Sequence, residues 1–163
     1  MKKISIVLIL INLLFLAAYF IYAVKSKEDI LQNGKLVLLK LAPVDPRSLM
    51  QGDYMILNYE INQNVPDNTP QKGFVLLSKK ENGEYKATKF QNYLPKDTLN
   101  GIAIEYIKTN TWNQNIRIGA ESYFFEEGSA EKFEKAAYGG LKVDENGNSV
   151  LIGLYDKNKK IIQ

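Results

Sequence analysis

The hydrophobic pattern divides the chain into an apolar first segment and a longer remainder of short β-prone runs. Two lysines precede an apolar run from Ile4 to Val24, and Lys25 and Lys27 follow it. About 20 apolar residues, rising about 1.5 Å each in a helix, match the roughly 30 Å hydrocarbon core of a bilayer. The pattern therefore predicts one transmembrane helix, and residues 1–27 are assigned to an anchor that contacts the lipid bilayer through Ile4–Val24.

A cleaved secretory signal is the alternative interpretation of this segment. The run is longer than the roughly 7–15 apolar residues of a signal peptide. The small-residue cleavage pattern is also poor, because Ile21 lies two positions before Ala23. We therefore expect a retained, single-pass anchor in the cell membrane. Lys2 and Lys3, with the free amino group, favour a cytoplasmic amino terminus and an extracytoplasmic carboxy-terminal domain.

The remainder of the chain predicts a polar linker over residues 28–34 and one β-rich domain over residues 35–163. Residues 35–41 form a β-prone run, residues 53–61 alternate strictly between apolar and polar positions, and two further runs cover 102–107 and 116–125. These patterns are typical of short strands with one buried face.

Turn signals connect several of these runs. The Asn-Gly pairs at 82–83 and 146–147 predict two hairpins, which join residues 74–77 to 85–90 and residues 141–143 to 149–154. Only residues 129–138 predict a helix, with Ser129 as its cap and Gly139-Gly140 as its end. The soluble part is therefore predicted to be mainly β (α+β), with seven or so strands in a curled sheet or small barrel-like domain.

Charge and composition narrow the classes of function. Four of the 21 basic residues flank the anchor, so the rest of the chain has 17 basic and 18 acidic residues and is nearly neutral. This balance argues against a nucleic-acid partner, which would require clustered basic residues. The chain has no cysteine and no histidine, which excludes disulfides, Cys/His zinc sites and Ser-His-Asp triads.

One segment of the β-rich domain carries a recognisable motif. Residues 52–59 read GDYMILNY and resemble the signature of a bacterial family named for GDYxxLxY. Residues 43–51 (PVDPRSLMQ), residues 121–128 (ESYFFEEG) and the hairpin over 138–154 are also similar to that family. The resemblance implies a membrane-anchored protein of a kind often encoded beside multi-pass membrane proteins, and it supplies no mechanism.

The matched residues form a candidate structural or interaction site. Gly52 suits a turn with positive φ before a strand, and Asp53 can accept backbone N–H groups beside that turn. Leu57 and Tyr59 are predicted to pack inward, and Tyr54 is predicted to face the other way. The full candidate set is Asp45, Arg47, Gly52, Asp53, Tyr54, Leu57, Tyr59, Glu121, Tyr123 and Glu126. Within it, Asp45, Arg47 and Asp53 are placed to form a charged latch in one loop.

A partial likeness to an enzyme class supplies the rival hypothesis. Residues 49–54 are similar to the Leu-x-x-Gly-Asp segment of type I signal peptidases, which use a serine nucleophile and a lysine base. Position by position, the nucleophile falls on Val44, whose side chain cannot attack a carbonyl. This departure argues against that peptidase activity. A hydrolase that uses Ser48 with a lysine such as Lys79, or paired carboxylates, remains the alternative.

The acidic residues suggest no metal site by spacing. A hard cation prefers oxygen ligands, yet no EF-hand spacing is present. We therefore predict neither a metal nor a cofactor. The residues that a cation site would draw on are Glu121, Glu126, Glu127, Asp45, Asp53 and Glu60.

These observations favour a non-enzymatic protein over an enzyme. The sequence predicts a membrane-anchored domain that acts as an accessory or interaction partner of a multi-pass membrane protein. A hydrolase and a ligand-binding module are the two alternatives. An exposed apolar edge or groove would support the first interpretation, and an acidic or Ser/Lys cluster in a pocket would support the hydrolase.

Overall fold

The computed structural model describes residues 2–42, 50–51, 54–63, 65–95, 101–111 and 114–162. Helix α1 spans Lys2–Asn33, which at about 1.5 Å per residue gives a length of about 48 Å. Its apolar part is long enough to cross a membrane, and none of that part is buried against the rest of the chain.

Residues 28–33, which the sequence suggested as a polar linker, continue helix α1. The stretch contains no glycine or proline to break the helix, so the helix ends only at Gly34, whose N–H donates to the carbonyl of Ile30 at 2.9 Å. Ile30 is only 2% exposed, so the end of the helix packs against the β-rich domain.

The domain is mainly β, as the sequence predicts, and its described residues form two sheets. The strands of the large sheet are β1 (Lys35–Lys40), β4 (Lys72–Lys79), β5 (Tyr85–Gln91), β6 (Gly101–Thr111), β7 (Gln114–Arg117), β9 (Tyr138–Val143) and β10 (Ser149–Tyr155). The strands of the small sheet are β2 (Met50–Gln51), β3 (Tyr54–Ile56) and β8 (Ser122–Phe124). The large sheet is a curled half-barrel with the strand order β10-β9-β1-β5-β4-β6-β7, and the small sheet has the order β2-β3-β8.

Both predicted hairpins are confirmed. Strand β4 pairs antiparallel with β5, and β9 pairs antiparallel with β10. Gly83 and Gly147 have φ values of +82° and +86°, which the absence of a side chain permits. Strand β1 pairs with β9 along all six residues, but it meets β5 in parallel only where Leu39 faces Tyr85.

The alternation over residues 53–61 is correct for burial and too long for the strand. Met55, Leu57, Tyr59 and Ile61 are all buried, as that pattern predicts. Strand β3 nevertheless ends at Ile56, and a 3₁₀ helix covers Glu60–Asn62. The buried residues after Ile56 therefore lie in the core although they are outside strand β3.

The prediction of a helix over residues 129–138 is wrong in its length. Helix α2 covers only Ala130–Phe133, and the Ser129 side chain makes no capping hydrogen bond. Tyr138 instead begins β9, and Gly139 and Gly140 lie inside this strand. Pairing with strands on both sides outweighs the local helix preference of this segment.

Candidate functional site

The inward residues of the signature segment 54–59 hold the two sheets together. The Tyr59 hydroxyl donates to the carbonyl of Ala120 at 2.6 Å, and the Leu57 N–H donates to the carbonyl of Glu121 at 2.7 Å. A Cβ at Gly139 would lie 2.8 Å from the Tyr59 ring, so β9 needs glycine there to admit this ring. Leu57 and Tyr59 are therefore structural residues, as their predicted inward orientation implies.

Burial fixes the chemical state of the Tyr59 phenol. Removal from water raises the pKa of Tyr59 far above its usual range, and the nearby charge of Glu121 adds to this increase. The phenol therefore stays protonated and acts as a hydrogen-bond donor to the Ala120 carbonyl.

Glu121 is a buried carboxylate with an internal role. Its Oε1 accepts the N–H groups of Ile118 at 2.5 Å and Gly119 at 3.1 Å, and its Oε2 lies 3.7 Å from Arg117 Nε. These donors compensate the buried charge and close the turn that precedes β8. Because the Glu121 carboxylate accepts these two N–H groups, it stabilises the turn that lies beside the signature segment.

The outward side of the small sheet carries an exposed apolar surface. Tyr54 faces Phe124 across the β3–β8 pair, and their ring centroids are 5.7 Å apart. Ile56 lies two positions along β3 and is 39% exposed, while Phe124 is 73% exposed. We call Tyr54, Ile56 and Phe124 the aromatic patch. The predicted outward orientation of Tyr54 thus places it in a surface that Phe124 completes.

The other candidate residues have separate roles or lie outside the described part of the chain. Tyr123 faces the interior and packs edge-on against Phe133 at 5.2 Å between ring centroids. Glu126 is exposed, and its carbonyl accepts the N–H of Ser129. The candidates that lie outside the described residues are Asp45, Arg47, Gly52 and Asp53, together with Val44 and Ser48 of the signal-peptidase comparison.

Sequence reasoning missed Ile56 and Phe124 as site residues. Both were placed in predicted strands, but the pairing of β3 with β8 joins segments more than 60 residues apart, and the sequence alone does not reveal this pairing. The available signal was the alternation itself, since Ile56 lies on the same predicted face as Tyr54.

A second cluster of polar side chains joins the β4–β5 turn to β9. The Tyr138 hydroxyl donates to Glu84 Oε1, and Lys80 Nζ lies 3.7 Å from Glu84 Oε2. The Tyr138 bond lowers the pKa of Glu84, aided by a bond from Asn82, and the same carboxylate raises the pKa of Tyr138 to about 12. This cluster is a latch between two elements of the large sheet.

Within the described ranges, no three acidic side chains come together in a way that could hold a metal ion. Glu121 is occupied by backbone donors, and Glu126 and Glu127 are exposed beyond β8. The candidate residues that the structure describes contribute to an exposed apolar surface and to a structural turn.

Comparison with known proteins bears on the signature segment. The family model described as GDYXXLXY protein matches residues 16–154, from within α1 to Leu154 in β10. No curated protein and no solved structure matches the chain.

Proposed function

Since the chain belongs to the GDYXXLXY family, we propose that it is a membrane-anchored accessory protein that binds a multi-pass membrane protein. In this proposal α1 crosses the cell membrane once. Its amino terminus lies in the cytoplasm, and the β-rich domain lies on the opposite, extracytoplasmic side of the membrane. The aromatic patch is the binding surface.

The observation that carries the proposal is the exposure of the aromatic patch. Phe124 leaves most of its ring in water, although the inward face of the same sheet is well packed. Large aromatic side chains are enriched at protein interfaces, where burying them contributes much of the binding energy. Tyr54 and Ile56 extend the apolar surface along β3, so a partner can cover three neighbouring side chains at once.

The anchor supports a partner that resides in the membrane. Helix α1 continues unbroken from Val24 to Asn33, which at about 1.5 Å per residue places the domain within about 15 Å of the end of the apolar run. Ile30 is buried against the domain, so the helix and the sheet are packed together. A domain held this close to the bilayer meets extramembrane loops of its neighbours in the membrane.

The polar groups near the signature segment support binding more than catalysis. A lysine acts as a base only where a dry apolar pocket removes its charge. Lys40 Nζ instead lies 3.2 Å from Glu60 Oε2, and both side chains are partly exposed. Glu121 and the Tyr59 phenol are both engaged with the backbone.

Site-specific photo-crosslinking in native membranes tests the proposal. A photoreactive phenylalanine analogue replaces Phe124, which is 73% exposed, in one sample and Tyr93, an aromatic residue that is 58% exposed, in the control. We expect the probe at position 124 to crosslink to one protein with several membrane spans, identified by mass spectrometry, and the probe at 93 to give no such product. Equal yields at both positions, or a crosslink only to lipid, would contradict the proposal.

A further inference from the structure

Strand β5 has an open edge. One side of it pairs with β4 throughout, but the other side meets β1 only at Tyr85. Residues 86–91 therefore have no strand partner on that side among the described residues. These six residues extend about 20 Å and present backbone N–H and C=O groups that an added strand can pair with.

A cleft of about 360 Å³ lies along this open edge. Ile61 and Phe90 give it an apolar lining. Its opposite wall is formed by Glu60, Ile61, Pro66, Asn68 and Thr69. Within this wall, Thr69 is 7% exposed.

A β-bulge arranges two lysines at the cleft. Lys89 faces Leu76 of β4 and Ala87 faces Leu77, so Thr88 is an extra residue in β5. Because of the bulge, Lys86 and Lys89 both project from the face opposite the buried side. Without the extra residue, strict alternation would place them on opposite faces.

The charge at the cleft is positive. Lys40 pairs with Glu60 and Lys80 pairs with Glu84, so these four charges compensate one another. In the part of the chain that the structure describes, Lys86 and Lys89 form no ion pair. The cleft therefore combines a free strand edge, an apolar lining and two uncompensated cations.

We propose that this cleft binds an extended acidic peptide segment of a partner protein, which adds to the open edge of β5 as an extra strand. Backbone pairing along residues 86–91 supplies the alignment. Carboxylates at alternate positions reach Lys86 and Lys89, and the apolar side chain between them faces the lining formed by Ile61 and Phe90. The inference goes beyond the proposed function, because the cleft lies on the large sheet and the aromatic patch on the small one.

Peptide binding to the full-length protein tests the charge requirement. The protein is placed in nanodiscs of phosphatidylcholine, and the probe is a short, fluorescein-labelled, acetylated peptide of alternating valine and glutamate. We expect saturable binding by fluorescence anisotropy. The double variant Lys86→Glu/Lys89→Glu should weaken it on the order of tenfold. The matched variant Lys132→Glu/Lys135→Glu, at exposed positions in and after α2, should bind as the wild type does.

N-methylated peptides test the strand pairing. In an extended peptide, alternate N–H groups point to opposite edges, so only one alternating set faces β5. Methylation of one set should abolish binding, and methylation of the other set should leave it intact. Equal effects of both sets would overturn the proposal, because attraction between charges alone does not distinguish them.

Two further results separate this inference from the proposed function. Phe124→Glu should leave peptide binding unchanged even if it abolishes contact with a membrane partner. Loss of peptide binding in this variant would overturn the claim that the cleft and the aromatic patch are separate sites. If the wild type does not bind the acidic peptide, the proposal fails, and Lys86 and Lys89 then serve only to protect an open edge from self-association.

Discussion

The most direct stability prediction concerns the hydroxyl of Tyr59. Tyr59→Phe keeps the ring, which is 1% exposed and packed against Gly139, and removes only the oxygen that donates to the Ala120 carbonyl at 2.6 Å. The variant leaves that carbonyl buried without its donor. Tyr59→Phe therefore removes a single hydrogen bond, which joins the signature segment to the turn before β8.

The expected loss follows from the burial of both partners. Leaving a buried acceptor unpaired costs about 1–3 kcal/mol, more than the net value of an exposed hydrogen bond. With a urea m value of about 2 kcal/mol/M, the unfolding midpoint should fall by about 0.5–1.5 M. Because burial raises the pKa of Tyr59 above its usual range, the difference should be the same at neutral pH and at mildly alkaline pH.

The chain provides a matched control for this experiment. Tyr106 is also 1% exposed, and its ring packs edge-on against Phe90, but its hydroxyl has no hydrogen-bond partner among the described residues. Tyr106→Phe should therefore leave the unfolding midpoint unchanged or raise it slightly. Urea titrations of the full-length protein in detergent, followed by near-ultraviolet circular dichroism, measure both variants. Equal midpoints for the two variants would refute the reasoning.

Further predictions concern the hydrogen bond between Tyr138 and Glu84, one close backbone contact and the membrane anchor. Tyr138→Phe should destabilise the domain by about 1–2 kcal/mol at neutral pH. In the wild type, the stabilisation by the Tyr138–Glu84 hydrogen bond should be lost as pH falls through the lowered pKa of Glu84, and as pH rises from about 10 towards the raised pKa of Tyr138 near 12. Unfolding curves of the variant should lack the alkaline loss and show a smaller acid loss, because Asn82 and Lys80 still lower the pKa of Glu84. Gly73→Ala should destabilise by more than about 2 kcal/mol in thermal unfolding, because its Cβ would lie 2.1 Å from the backbone oxygen of Gln91. Mass spectrometry of the membrane-purified protein should give the full-length chain, and a soluble form that starts near Val24 would contradict the anchor.

Patterns among neighbouring residues were sufficient to predict several elements of this fold. The apolar run gave a single long helix, and the two Asn-Gly turns formed the two expected hairpins. The alternation of residues 54–59 correctly separated buried Leu57 and Tyr59 from outward Tyr54. Each of these features depends on neighbouring residues, so a pattern in the sequence is sufficient to predict it.

The features that the sequence did not predict depend on distant contacts. The predicted helix ends at Phe133, because Tyr138–Val143 pair with strands on both sides and this pairing outweighs the helix preference of residues 134–138. Glu121 was a candidate structural or interaction residue, and the sequence did not distinguish the two roles; its carboxylate closes a turn, because the fold places two backbone N–H donors and Arg117 around it. The aromatic patch and the β5 cleft arise where strands distant in sequence meet or separate, and no local pattern specifies either one.

The measurement that tests the central claim most directly is quantitative co-purification from native membranes. Wild-type protein, Phe124→Glu and the control Tyr93→Glu are purified in mild detergent, and a co-purifying multi-pass protein is quantified by mass spectrometry. We predict that Phe124→Glu removes this protein, because a charge in the aromatic patch cannot be buried without a partner, while Tyr93→Glu retains it. Equal recovery with all three proteins would show that the aromatic patch is not the binding surface.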